Sequence, residues 1–210
     1  MKKTLKKADF KIAKAGYVAN EPQLSSSLHA NCYTEEKYLA VERHAIFQNT
    51  WQWACHKEKL REAGSYYVKD IIGHSILLLR NGDGDLRAFY NVCQHRAHEL
   101  LQGEGKTQMI VCPYHAWCYD LDGGLRSARH TEHLEEFDQS EICLSKVQVE
   151  EFCGFIYVNL DLDAVPLTEQ SGDLAKEIGE FAPDVNALTF AHRLTFDIKS
   201  NWKNIVDNFL

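Results

Sequence analysis

The polar and apolar positions of this chain change rhythm near residue 65. Ahead of it, Thr34-Glu35-Glu36 reads as an N-cap followed by two acids in a first helical turn. Tyr38, Leu39, Val41, Ala45 and Ile46 then give a helical stripe that reaches about Trp51. Beyond it, SYYVKDII (65–72) and HSILLLR (74–80) are aromatic, β-branched and aliphatic runs that predict strands. Asn81-Gly82-Asp83-Gly84-Asp85 predicts a turn and LRAFYNV (86–92) the returning strand. MIVC (109–112) continues as a strand, and WCYDLDGGLR (117–126) as a hairpin turning at Asp122-Gly123-Gly124. ICLSKVQVEEFCGFIYVNLD (142–161) predicts two more strands, broken near Gly154.

After residue 161 the character shifts again. DAVPLTEQSG (163–172) reads as a linker, and DLAKEIGEFAPD (173–184) as a short helix ended by Pro183. LTFAHRLTFDIKS (188–200) has strand alternation, and SNWKNIVDNFL (200–210) opens a helix that has no glycine cap. The expected organisation is an N-terminal segment with a helix over 1–64 and a mainly β domain over 65–161. Over 162–210 follow a linker and the start of an α+β domain in which the chain is expected to be cut short.

Composition narrows the class without naming a function. With 210 residues, 45% hydrophobic and 25% charged, the chain has enough apolar side chain for a real core. A formal net charge of −7 argues against a nucleic-acid partner, which selects a basic face. The basic start MKKTLKKADFKIAK lacks the apolar stretch of a signal peptide, because Lys6, Lys7, Asp9, Lys11 and Lys14 interrupt it. No run approaches the ~20 apolar residues of a membrane span. A cytoplasmic protein with no membrane partner is the expectation. The seven cysteines, Cys32, Cys55, Cys93, Cys112, Cys118, Cys143 and Cys153, have no disulfide rhythm and are expected reduced. Five of them read as small apolar core residues.

The other two belong to the segment that carries chemistry. NVCQHRAHELLQGEGKTQMIVCPYHAW (91–117) holds Cys93-x-His95 and Cys112-x-x-His115, with sixteen residues between the clusters. Zinc is one reading, since Cys and His at such spacings bind tetrahedral zinc, but structural zinc sites usually pair two cysteines in one cluster. Here each cluster gives one Cys and one His. That division suits a [2Fe-2S] centre in which one iron takes both thiolates and the other both imidazoles, which accepts an electron more easily than an all-Cys cluster. Pro113 stiffens the second loop, Gly103 and Gly105 permit tight turns before it, and both clusters fall at strand ends.

Position by position, C-x-H…C-P-Y-H-x-W resembles the Rieske motif. Respiratory-type Rieske proteins carry an extra cysteine in each loop; here Tyr114 stands in one place, and His95-Arg96-Ala97-His98-Glu99 contains none. Cys118 therefore reads as a packing residue. IFQNTWQWACH (46–56), LRAFYNVCQHRAHELLQGEGK (86–106), CPYHAWCYDLDGGL (112–125), CGFIYVNLD (153–161) and SNWKNIVDNFL follow in an order that resembles the N-terminal half of a Rieske-type non-haem iron oxygenase alpha subunit. The resemblance implies Cys93, His95, Cys112 and His115 as ligands of a Rieske [2Fe-2S] cluster. It also implies a mononuclear Fe(II), held in a facial triad by residues expected after Leu210, with Asn201 near that iron. Electrons would come from NAD(P)H through a separate reductase, with or without a ferredoxin, and cross a subunit boundary in a homotrimer. His95 or His115 would then hydrogen-bond the neighbour's bridging carboxylate. Within the family, YYVKDIIGHSILLLR, GEGK and NWKNIVDNFL resemble enzymes of quaternary ammonium compounds such as carnitine or glycine betaine, which hydroxylate an aliphatic carbon so that a C–N bond breaks. An aromatic-ring-hydroxylating dioxygenase alpha subunit, a Rieske electron-transfer protein without oxygenase chemistry, and a zinc-stabilised binding module are the alternatives.

Other candidates have plainer readings. His130-Thr131-Glu132-His133 offers two imidazoles and a carboxylate, but facial-triad ligands converge from separate elements, so a polar surface loop is expected. His98 and Glu99 read as shaping the first loop, and Arg96 as serving donor docking or a surface ion pair. Asn201 also suits a helix start, and Asp207 a hydrogen bond within its domain. Trp51, Trp53, Trp117 and Trp202 read as core or lid aromatics.

Overall fold

The computed structural model describes residues 28–131, 133 and 135–209. The segment MKKTLKKADFKIAK and Glu132 lie outside the described residues. The described residues divide into two compact units, one formed by residues 28–42 with 194–209 and the other lying within 43–193.

The larger unit holds ten strands in three antiparallel sheets. The central sheet has the order β4-β3-β2-β5, from β2 (Ser65–Ile71), β3 (His74–Arg80), β4 (Leu86–Tyr90) and β5 (Glu104–Lys106). A second sheet has the order β1-β10-β9, from β1 (Gln52–His56), β9 (Gln148–Phe152) and β10 (Phe155–Asn159). The third is small: β6 (Ile110–Val111), β7 (Cys118–Tyr119) and β8 (Leu125–Ser127).

The unbroken apolar run of β3 has a direct cause. Leu77 and Leu79 face a core shared with Phe89, Ile110, Trp117, Tyr119, Leu125 and Leu144. Ile76 and Leu78, on the opposite face, enter a second core with Ala54, Cys55, Leu60, Ile156 and Val158. All four side chains are fully buried, so the strand has no solvent face that would select polar residues. At roughly 1.5–3 kcal/mol for each fully buried aliphatic side chain, β3 is the apolar spine of the unit. Two tight turns close its hairpins. Ile72 and Gly73 join β2 to β3 with φ of 54° and 81°, and Cys153 and Gly154 join β9 to β10 with φ of 49° and 81°. Two successive positive φ values match the right-handed strand twist, and the second position takes glycine in both turns.

The smaller unit brings α1 (Asn31–Thr34) and α2 (Glu36–Glu42) to α5 (Trp202–Phe209). Asn201 Oδ1 accepts from the Lys203 backbone N–H at 3.1 Å, capping α5, while its Nδ2 donates to Tyr33 O at 3.1 Å. Tyr33 Oη donates to Asp207 at 2.7 Å. Glu42 accepts from Trp202 Nε1 at 2.8 Å and from the buried Lys203 Nζ at 2.5 Å.

Several expectations change. The β unit begins at Gln52, not residue 65, because QWACH pairs with β10 from Gln52↔Val158 to His56↔Phe155. The N-terminal helix is broken. Thr34 ends α1 and bonds Ala30 O, while α2 starts at Glu36 and runs into a π-helical turn over Arg43–Phe47. Gly105 lies within β5 rather than in a turn. Residues 188–200 alternate but form no strand among the described residues, since no neighbouring backbone pairs with them; Leu194, Phe196 and Ile198 are exposed. The helix before Pro183 is α4 (Leu174–Phe181), preceded by α3 (Leu167–Gln170). Among the cysteines read as core, Cys32 and Cys55 are buried, Cys118 and Cys153 are half-buried, and Cys143 is exposed. Among the described residues no helix is long and apolar enough to cross a membrane.

Candidate metal centre

Cys93 and His95 lie on the loop after β4, and Cys112 and His115 on the loop between β6 and β7. The two loops repeat one backbone design. In the first, the Cys93 N–H donates to His98 O at 2.8 Å and the Ala97 N–H to Cys93 O at 3.0 Å. In the second, the Cys112 N–H donates to Trp117 O at 2.8 Å and the Ala116 N–H to Cys112 O at 3.0 Å. Each closes through an alanine in the left-handed region, Ala97 at φ 55° and Ala116 at φ 56°. A left-handed residue four positions after the cysteine lets the chain reverse within each loop.

The side chains sort into pairs. Cys93 and Cys112 are each 2% exposed and sit in the same buried core. The rings of His95 and His115 meet edge to face, 4.7 Å between centroids and 71° between planes. Among the described residues no three His, Cys, Asp or Glu side chains converge on a point that would hold one metal ion. A two-iron cluster would take two thiolates at one iron and two imidazoles at the other, the division these four side chains offer. His115 Nδ1 supplies the direct test of fit. It is buried, with no hydrogen-bond partner, as a nitrogen reserved for a metal would be.

The electrostatics agree with that use. Burial, and then the charges of His95, Arg96 and His98, hold the His115 ring below the usual histidine range, favouring the neutral form that binds metals. Burial pushes the Cys112 thiol up, and the neighbouring Cys93 adds to this. Backbone N–H groups of Tyr114 and His115 aimed at its sulfur oppose it and would stabilise a thiolate.

Residues outside the motif set this geometry. Tyr119, fully buried on β7, pairs its hydroxyl with Cys93 Sγ at 3.3 Å and accepts from the Gln94 N–H at 3.1 Å; toward a thiolate, which has no proton to give, the hydroxyl is the donor. Burial first, and then the bond to Cys93, raise its pKa far above the ordinary phenol range, so it stays a donor. Asn91, fully buried, accepts from the Leu101 N–H at 3.0 Å and donates to Leu101 O at 2.7 Å, closing the base of the first loop. Glu99 accepts from Ser75 Oγ at 3.0 Å, and His98 Nδ1 donates to Glu99 O at 2.6 Å, so both shape the loop as expected. Trp117 is buried, as read, whereas Trp53 is exposed. Cys118 packs its sulfur 3.8 Å from that of Met109. Asn201 belongs to the other unit and caps α5. His130 and His133 are exposed and join no metal-type group among the described residues.

Comparison with known proteins bears on this centre. Residues 50–138 match the family described as the Rieske [2Fe-2S] domain. The carnitine monooxygenase oxygenase subunit of Escherichia coli (strain K12) is 42% identical over 190 residues, covering 90% of this chain and 51% of that protein. The chloroplastic choline monooxygenase of Beta vulgaris is 39% identical over 182 residues, covering 85% of this chain and 41% of that protein. The crystal structure of the quaternary ammonium Rieske monooxygenase CntA with L-carnitine superposes with a TM-score of 0.80 at 38% identity, covering 83% of this chain and 50% of that one. The chain thus spans about half the length of the curated relatives it matches.

Proposed function

The chain carries a Rieske [2Fe-2S] domain and belongs, over the half of their length that it spans, to the Rieske oxygenase alpha subunits; on that premise we propose that Cys93, His95, Cys112 and His115 hold the cluster. The orphaned, buried Nδ1 of His115 carries the assignment. When bound, the cluster accepts and passes on one electron at a time. The protein's part is to hold it. Cys93 and Cys112 would hold one iron from the dry core, and the Tyr119 hydroxyl beside the Cys93 sulfur would donate to the thiolate and offset the charge that arrives on reduction. His95 is exposed and His115 half-buried, so the imidazole pair is the face through which the centre meets another protein group.

The whole protein is read as an oxygenase. A reductase, with or without a ferredoxin, delivers electrons from NAD(P)H to the cluster, which relays them to a mononuclear Fe(II) that activates O2. Residues from 194 onward begin the domain that would hold this iron, with Asn201 near it. The relay crosses a subunit boundary in a trimer, where the free nitrogen of His95 or His115 donates to a neighbouring carboxylate. A cytoplasmic location accompanies this reading. The substrate is a quaternary ammonium compound, hydroxylated next to nitrogen so that the C–N bond breaks. This rests on relatives named for carnitine and choline, and it ranks above ring hydroxylation for that reason. The test is O2 uptake by the polypeptide extended to its relatives' full length, supplied with NADH and a reductase. Uptake coupled to product with carnitine, glycine betaine or choline supports the reading; uptake coupled only with an aromatic hydrocarbon overturns the substrate class.

A further inference from the structure

His95 is exposed, and among the described residues no hydrogen bond reaches its ring. A ligand histidine ordinarily has its orientation fixed by a hydrogen bond at the second nitrogen. Here an aromatic contact takes that part. The indole of Trp117 lies parallel to the His95 ring, 4.8 Å between centroids and 10° between planes. Trp117 is itself 7% exposed and is backed by the edge of Phe137 at 5.9 Å and 62°. It is also the residue whose carbonyl closes the second loop on the Cys112 N–H at 2.8 Å. One residue therefore braces a thiol ligand through its backbone and an imidazole ligand of the opposite loop through its ring.

We propose that Trp117 is the positioning residue for the His95 ligand, its stacked indole fixing the plane of an imidazole that no hydrogen bond from the described residues of its own chain holds. This rests on the Rieske reading of the site. His115 is held differently, between Tyr114 at 3.7 Å and His95 at 4.7 Å, so the two imidazoles respond differently to loss of the indole. A stacked aromatic pair contributes roughly 0.5–1.5 kcal/mol beyond its area, about a threefold to tenfold change in an equilibrium or rate. A freed His95 ring samples other planes, which changes its electronic coupling to iron and opens the cluster to water.

The test compares Trp117→Leu and Trp117→Phe in the cluster-loaded protein, with Leu144→Ala as a variant that loosens the core Trp117 shares without removing the stacked indole. The readouts are nitrogen hyperfine couplings of the reduced cluster, bleaching rate of its visible absorption in excess chelator, and thermal midpoint. Trp117→Leu should broaden or shift one of the two imidazole couplings, leave the other in place, and speed bleaching about threefold to tenfold. Trp117→Phe, which keeps a stackable ring, should restore both. The proposal is overturned if Trp117→Leu lowers the thermal midpoint with unchanged couplings, if Trp117→Phe fails to rescue, or if Leu144→Ala alters the couplings equally. A wild-type protein lacking two imidazole couplings would instead remove the Rieske reading itself.

Discussion

Tyr119→Phe isolates one atom's contribution to the redox centre. The ring is fully buried and would stay packed, while the hydroxyl that links Cys93 Sγ at 3.3 Å to the Gln94 N–H at 3.1 Å disappears. A hydrogen bond to a charged acceptor contributes roughly 1.5–3 kcal/mol, but only its difference between oxidation states moves a potential. Reduction adds a negative charge beside the donor, so the bond is stronger in the reduced state. A difference of about 1 kcal/mol corresponds to about 40 mV for a one-electron couple. The variant's potential should therefore fall by roughly 20–60 mV, with about 1 kcal/mol lost in stability because the Gln94 N–H, on an exposed residue, can turn to water. The assay is a dye-mediated redox titration followed by the spectrum of the reduced cluster, with denaturant unfolding alongside. An unchanged or raised potential in a cluster-loaded variant would show that the hydroxyl does not donate to the ligand sulfur.

Four further substitutions probe the frame around the centre. Ala97→Gly and Ala116→Gly relieve left-handed strain of about 1–2 kcal/mol against a smaller entropic loss, so each should stabilise by about 0.5–1 kcal/mol, read as a rise in thermal midpoint. Gly123→Ala should destabilise by about 2–4 kcal/mol in chemical denaturation, because at φ 89° its Cβ would meet the buried Phe89 ring at 2.6 Å. Asp122 is held below the usual carboxylate range by the Asn81 hydrogen bond and the Arg87 ion pair. Its stabilisation is present above about pH 4 and fades as pH falls through the lowered folded value, so Asp122→Asn should flatten the acid limb of the stability curve.

The proposed ligand set could be put forward from sequence because its chemistry is written in residue types at fixed spacing, and both loops fall at the strand ends that the apolar runs predict. Tyr119 was not, since a tyrosine in a short strand looks like any core aromatic until the fold carries Cys93 against it from 26 residues away. The pairing of Trp117 with His95 is hidden for the same reason: stacking between two loops leaves no local spacing. QWACH escaped as a strand because five residues between helical turns carry too little alternation, and its partner lies about a hundred residues on. Residues 188–200 show the converse. Alternation specifies which side chains share a face, but a strand also needs a neighbouring backbone, and among the described residues there is none.

The central claim is that two thiols and two imidazoles of this chain hold a two-iron cluster rather than a zinc ion. Anaerobically purified protein, assayed for iron, acid-labile sulfide and zinc and then examined by electron paramagnetic resonance after dithionite reduction, tests it most directly. The account predicts about two irons and two sulfides per chain, with a [2Fe-2S] signal showing nitrogen couplings from two imidazoles that is lost in Cys93→Ala and His115→Ala but kept in Cys118→Ala. Stoichiometric zinc without that signal, or a cluster that survives either ligand substitution, would contradict it.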